Sequence, residues 1–245
     1  MTKKKKKTLK LKDPMVLILA VLFLFITGGT AIKAAVFGGR TEVIVMLDAA
    51  YGEEAKGNSG VINEADYNAA LVKELAEVLK KDNRFIVKLS HEEGAKATIH
   101  DRAAAADKEN PELLLSIHCG YDPAKTVSGM KIYADVPGSK TNAKSLEAAQ
   151  KIKETFAAEN AEVLYRYYEP LDEKTFQVVN VPAEGSETKE LKTWSLMEEA
   201  SVPVVIVEQF NVANEEAAAK YNTEEGIKAT AQQYYKALLA VFKLN

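Results

Sequence analysis

The chain has 245 residues, 32 of them Lys or Arg and 35 Asp or Glu, for a formal net charge of −3. Residues 1–40 hold nine basic residues and one acid, so the remainder carries 23 basic against 34 acidic residues, a balance of −11. An acidic body excludes bulk attraction to nucleic acid, which needs Lys and Arg to neutralise phosphate, and a lone cysteine excludes an internal disulfide framework.

Residues 1–13 form a basic tail, with lysines at 3–7, 10 and 12. From Pro14 to Ile32 the chain runs 19 residues without a charge. As a helix this stretch would measure roughly 28 Å, close to the hydrocarbon thickness of a bilayer. The pattern predicts a transmembrane signal anchor over 14–32, a tether over 33–41 and a body over 42–245. Lysines ahead of the span orient the tail to the cytoplasm and the body to the outside, so the predicted address is the cell membrane, single pass. Gly29-Thr30-Ala31 is also an acceptable cleavage site, and cleavage there would make the body a secreted protein.

Within the body, Val43 to Leu47 is a β-branched apolar run closed by Asp48 and Gly52, which predicts a buried strand delivering a loop. Asn63 is a candidate N-cap for a helix over 64–81, with Tyr67, Leu71, Leu75, Val78 and Leu79 at helical spacing. Phe85 to Leu89 alternates as a strand, and Thr98 to Ala106 is a short alanine-rich helix. Pro111 introduces a strand that ends at His118; Gly129 to Ala134 is the next, and Lys140 to Glu159 is helical. Between residues 160 and 193 only two short strands are predicted, Leu164–Tyr168 and Phe176–Val181, followed by a surface loop. Pro203 opens a last strand that ends at Glu208, and Thr223 to Phe242 is the closing helix. Strands alternating with helices predict an α/β fold: one three-layer domain with a mainly parallel central sheet flanked by helices. In such a sheet the strand ends gather at one edge, where ligands bind.

Three of these strands end in polar side chains able to bind metal or move a proton. Taken in order, Tyr51 follows the first strand, Glu64 opens the first helix, and His118 and Glu208 end later strands. The surrounding motifs are Asp48-Ala49-Ala50-Tyr51-Gly52-Glu53, Glu64-Ala65-Asp66-Tyr67-Asn68, Asp101-Arg102-Ala103-Ala104, Ser116-Ile117-His118, and Pro203 to Glu208 with Asn214 beyond. This series resembles the zinc-dependent N-acetylmuramoyl-L-alanine amidases of the amidase 3 type over about residues 42–242. The resemblance implies cleavage of the amide between the muramic lactyl group and L-alanine of peptidoglycan stem peptides. It implies zinc-ligand roles for Glu64 and His118, and a general-base role for Glu208. Where the family motif reads Asp-Ala-Gly-His-Gly-Gly, this chain has Tyr51 at the ligand histidine and Ala50 and Glu53 at two of the glycines.

A catalytic zinc takes three protein ligands and keeps one position open. A phenol binds well only as phenolate, and reaching that state at pH 7 from a pKa near 10 costs roughly 4 kcal/mol. Tyr51 is therefore expected to fill a vacated metal pocket, with a phenolate ligand as the alternative. Cys119 is either a buried small residue on the face opposite His118 or a surrogate ligand. His91 ends a strand with no spacing that requires it at the site, His100 reads as surface, and Asp48 and Asp66 are further candidate oxygen donors. The expected function is a membrane-anchored, extracytoplasmic amidase-family domain acting at peptidoglycan, with zinc hydrolysis weakened or lost. Its expected partners are stem peptides, the membrane through the N-terminal helix, and a wall enzyme, with no nucleic acid. The alternatives are an active zinc amidase of cell-wall turnover and a non-catalytic wall-assembly or structural module.

Overall fold

The computed structural model describes residues 42–52, 55–124, 129–187 and 189–244. The predicted tail, anchor and tether lie outside them, and no helix among the described residues is long and apolar enough to cross a membrane. The strands are β1 (Val43–Ala49), β2 (Phe85–Leu89), β3 (Leu113–Gly120), β4 (Lys131–Ala134), β5 (Glu162–Pro170), β6 (Phe176–Pro182) and β7 (Val204–Asn211). The helices are α1 (Glu64–Lys80), α2 (Ile99–Glu109), α3 (Asn142–Thr155), α4 (Ser195–Glu199), α5 (Glu215–Tyr221) and α6 (Glu224–Val241).

Local chemistry explains the helix starts. The Asn63 side chain accepts from the Asp66 N–H at the head of α1, Thr98 and Asp101 form a reciprocal capping box on α2, and Thr223 caps α6. Each satisfies donors that the first turn leaves unpaired. The predicted helix over 140–159 is shorter than expected, ending at Thr155 before a single 3₁₀ turn at Ala157–Glu159.

All seven strands belong to one sheet in the order β2-β1-β3-β7-β4-β5-β6. The four strands β2, β1, β3 and β7 are mutually parallel, as expected. The other half makes the sheet mixed: β4 pairs antiparallel with β7, and β6 antiparallel with β5. The cause is in the connections. Among the described residues no helix separates β3 from β4, and only residues 171–175 join β5 to β6, whereas parallel neighbours need a crossover long enough to return the chain. The two short strands predicted near 164–168 and 176–181 are thus one longer hairpin.

Alternation along the strands divides the core into two layers. Leu113, Leu115, Ile117, Val205 and Val207 face Tyr67, Leu71, Leu75, Ile152, Tyr234 and Leu238 of α1, α3 and α6. Met46, Leu114, Tyr133, Val204 and Ile206 face Ala103 and Ala106 of α2 and Leu196 and Met197 of α4. Helices on both faces of the sheet give the expected three layers. Because β1, β3 and β7 are parallel, their carboxyl ends share one rim, and β4 begins there, with Lys131 opposite Glu208.

Candidate active site

Glu64 and His118 meet at this rim. Glu64 is fully buried, His118 is 8% exposed, and Glu64 Oε1 lies 3.4 Å from His118 Nδ1. The backbone fixes the carboxylate: the Cys119 N–H donates to Oε1 at 2.9 Å and the Asn58 N–H to Oε2 at 2.7 Å. Asn58 is itself tied to β3, its side-chain amide donating to the Cys119 carbonyl at 3.0 Å. Gly57, at φ +67°, allows this loop to close, since a Cβ there would stand 2.6 Å from both Glu64 Oε2 and the Tyr51 ring.

Tyr51 itself holds a left-handed backbone, φ +68°, and is 40% exposed. Its ring stands edge-on to His118 at 5.6 Å between centroids. Partial burial and the charge of Glu64 hold its hydroxyl above the ordinary tyrosine range, so the phenolate is disfavoured further. On its other side His118 meets Trp194, at 5.3 Å between centroids. The imidazole therefore sits between two aromatic rings.

Glu208 lies opposite His118 in the β3–β7 ladder and is 9% exposed. Its carboxylate is engaged at both oxygens. Arg166 Nη2 donates to Oε1 at 3.0 Å and the Tyr133 hydroxyl to Oε2 at 3.1 Å, with Lys131 Nζ 3.9 Å away. The guanidinium lies 4.2 Å above the Trp194 ring and 4.4 Å above that of Tyr133, cation–π distances in both cases. Arg166, Tyr133 and Trp194 carry no motif in the sequence, and the only signal for the first two is the alternation that puts residues 131, 133, 164 and 166 on one face.

The remaining candidates fall elsewhere. Asp48 is fully buried one row below the rim, accepting from Arg102 Nη1 (2.9 Å), Ser116 Oγ (2.6 Å) and Ser90 Oγ (2.5 Å). Asp66 is solvent-exposed beside Lys56, and His100 is exposed beside Glu199. His91 packs behind β1, with Nε2 2.9 Å from the Ala49 carbonyl oxygen. Cys119 points to the α1 side of the sheet, near Asn68, and burial, aided by Glu64 and Glu208, pushes its thiol well above the usual range.

A family model described as N-acetylmuramoyl-L-alanine amidase, the amidase 3 type, matches residues 45–240. The chain belongs to this amidase family. Solved structures of amidases share the fold. One is an N-acetylmuramoyl-L-alanine amidase of Clostridium difficile 630, at 18% identity and TM-score 0.65, covering 82% of this chain and 97% of that one. Another is Ami1 of Mycobacterium smegmatis, at 16% identity and TM-score 0.65, covering 83% and 98%. A third is the CwlD amidase of Clostridioides difficile in complex with the GerS lipoprotein, at 18% identity and TM-score 0.62, covering 83% and 100%. No curated protein matches significantly.

Amidases of this type imply a zinc ion, and the donor set can be tested against it. Two ligands at about 2 Å from a tetrahedral ion lie about 3.3 Å apart, close to the Glu64–His118 separation. The third donor is lacking: among the described residues no group of three or more His, Cys, Asp or Glu is placed to hold a metal. The Tyr51 hydroxyl is pushed above its ordinary range by burial and the charge of Glu64, and Cys119 lies on the α1 side of the sheet. Among the described residues, the donors placed for a zinc at this rim stop at two.

Proposed function

We propose that this amidase-family chain acts at peptidoglycan from a membrane anchor over residues 14–32, with its body outside the cell and without zinc hydrolysis. Tyr51 stands where the family carries a ligand histidine, leaving Glu64 and His118 as the two remaining ligand positions and Glu208 as the base position. The observation that carries this reading is the donor set at the rim, which among the described residues stops at two, with the Tyr51 ring edge-on to His118. Active hydrolysis through Cys119 is disfavoured by the orientation of that thiol, which lies on the α1 side of the sheet near Asn68. The domain then binds stem peptides in the old cleft, or a wall protein. The assembly of CwlD with a lipoprotein offers a precedent for the second arrangement.

The test uses the purified full-length protein. Elemental analysis should find far less than about one zinc per chain, incubation with purified wall should release no stem peptide, and the protein should sediment with insoluble wall. One tightly held zinc together with peptide release would overturn the loss of hydrolysis. Failure to sediment with wall would overturn the peptidoglycan assignment.

A further inference from the structure

The Glu208 end of the rim carries an inference that rests on this reading and goes beyond the missing ligand. Glu64 opens α1 and Glu208 lies near the end of β7, and both are buried carboxylates at this rim. Burying such a charge is costly unless a cation or several donors accompany it. Glu64 takes two backbone N–H groups. Glu208 takes a guanidinium at hydrogen-bond distance and a phenol hydroxyl, with the Lys131 ammonium further off at 3.9 Å.

That guanidinium is fixed on every side. Arg166 Nη2 donates both to Glu208 Oε1 at 3.0 Å and to the Tyr133 hydroxyl oxygen at 2.6 Å, while Tyr133 donates onward to Glu208 Oε2 at 3.1 Å. The three groups form a closed triangle. Arg166 Nε donates to Asn180 Oδ1 on β6 at 2.9 Å, and the Arg166 carbonyl accepts from the Thr193 hydroxyl at 2.7 Å. Trp194 and Tyr133 pack on the guanidinium itself, and the Arg166 side chain is only 12% exposed. This is an arginine built into the wall of the site, unlike a surface residue free to swing away.

We propose that Arg166 is a second lock on this site: it supplies the positive charge that the rim carboxylate needs and commits Glu208 to an internal pair, independently of Tyr51. The chemistry follows from the geometry. A carboxylate serving as general base must offer a free lone pair to a water held between it and the substrate. Here Arg166 donates to one Glu208 oxygen and Tyr133 to the other, which leaves a water only the second lone pair of each. Arginine keeps its charge throughout the accessible pH range, so it cannot withdraw by losing a proton. Detaching Glu208 would strand a buried guanidinium against two aromatic rings. Repair of the ligand position alone therefore leaves the base engaged, and recovery of hydrolysis needs two changes.

Four full-length forms test this: wild type, Tyr51→His, Arg166→Met and the double variant. Tyr51→His should take up zinc yet release no stem peptide from purified wall, and the double variant should release it at least about 100-fold faster, the usual contribution of a general base. A second readout needs no metal. Arg166→Met should lower Tm by roughly 10 °C, and adding Glu208→Gln should recover part of that loss, since the two residues are one unit. Peptide release by Tyr51→His with Arg166 intact overturns the lock, and so does a thermal cycle showing no coupling. If Tyr51→His takes up no zinc, the ligand reading of position 51 fails, while the Arg166–Glu208 cycle still decides the lock. Should Arg166→Met not fold, Arg166→Gln, which keeps a donor for Tyr133 but no charge, takes its place in both measurements.

Discussion

Asp48 and Glu208 are both buried carboxylates near the ends of parallel strands, and each is met by one arginine from another element. Their surroundings differ. Asp48 is held by Arg102 of α2 and by the hydroxyls of Ser90 and Ser116, so it clasps one helix to the sheet's interior. Burial pushes this carboxyl up, but the charge of Arg102 and the two hydroxyls outweigh it, and the net shift is downward. Glu208 stands one step further out, beside His118, and its arginine is framed by aromatic rings. The first pair braces strands and a helix that must stay together in any case. The second occupies the place where a hydrolase would need its base free, so the same pairing carries functional meaning only there.

Substitution at the inner pair should have the largest effect. Asp48→Ala leaves Arg102 buried without its partner and should cost about 3–5 kcal/mol in urea unfolding; a loss below about 1 kcal/mol would remove the brace. The folded pKa of Asp48 lies below its unfolded value. Its contribution is therefore complete above about pH 4 and lost as pH falls through the folded value, so the gap between wild type and Asp48→Ala should narrow in acid.

Asp135 sharpens the contrast, because no ion pair reaches it among the described residues and burial raises its carboxyl to about 6. The folded state there binds its proton more tightly than the unfolded chain, so stability falls as pH rises from about 4 to about 6. Asp135→Asn should add roughly 2 kcal/mol at pH 8 and nothing near pH 4, read from urea midpoints. The smallest effect is expected at Cys119. Its raised, buried thiol should resist a thiol-specific reagent in the native protein and react only on unfolding. Rapid native labelling would show that the α1 side of the rim opens.

The parts legible in the sequence are those whose cause is local. The Asn63 and Thr98 caps, the α1 stripe and the apolar runs of β1, β3 and β7 each depend on neighbours a few residues away. The sequence marks the β5–β6 hairpin only in fragments, because β5 mixes buried and exposed positions and β6 buries none of its residues. Helix α5 was not expected at all; seven residues give too little periodicity to mark a face. At the rim, Glu64 stands out because it opens α1, and His118 and Glu208 because they follow the apolar runs of β3 and β7, strands that continue past them to Gly120 and Asn211. Arg166 did not, since its partner lies 42 residues away and the match depends on strands being ordered β7-β4-β5. That ordering is a property of the sheet, and no short window of residues contains it.

The position of β7 sets a condition on how this protein comes into being. The strand is the last in sequence yet lies between β3 and β4, so a chain lacking residues 204–211 has two unpaired strand edges in the middle of its sheet. Such edges invite pairing with other chains. Assembly must wait for a segment that arrives more than 80 residues after β3 begins, and closing so distant a contact makes folding slow. Emerging polypeptide therefore has to be kept from self-association until nearly its full length is available, a requirement imposed by strand order alone.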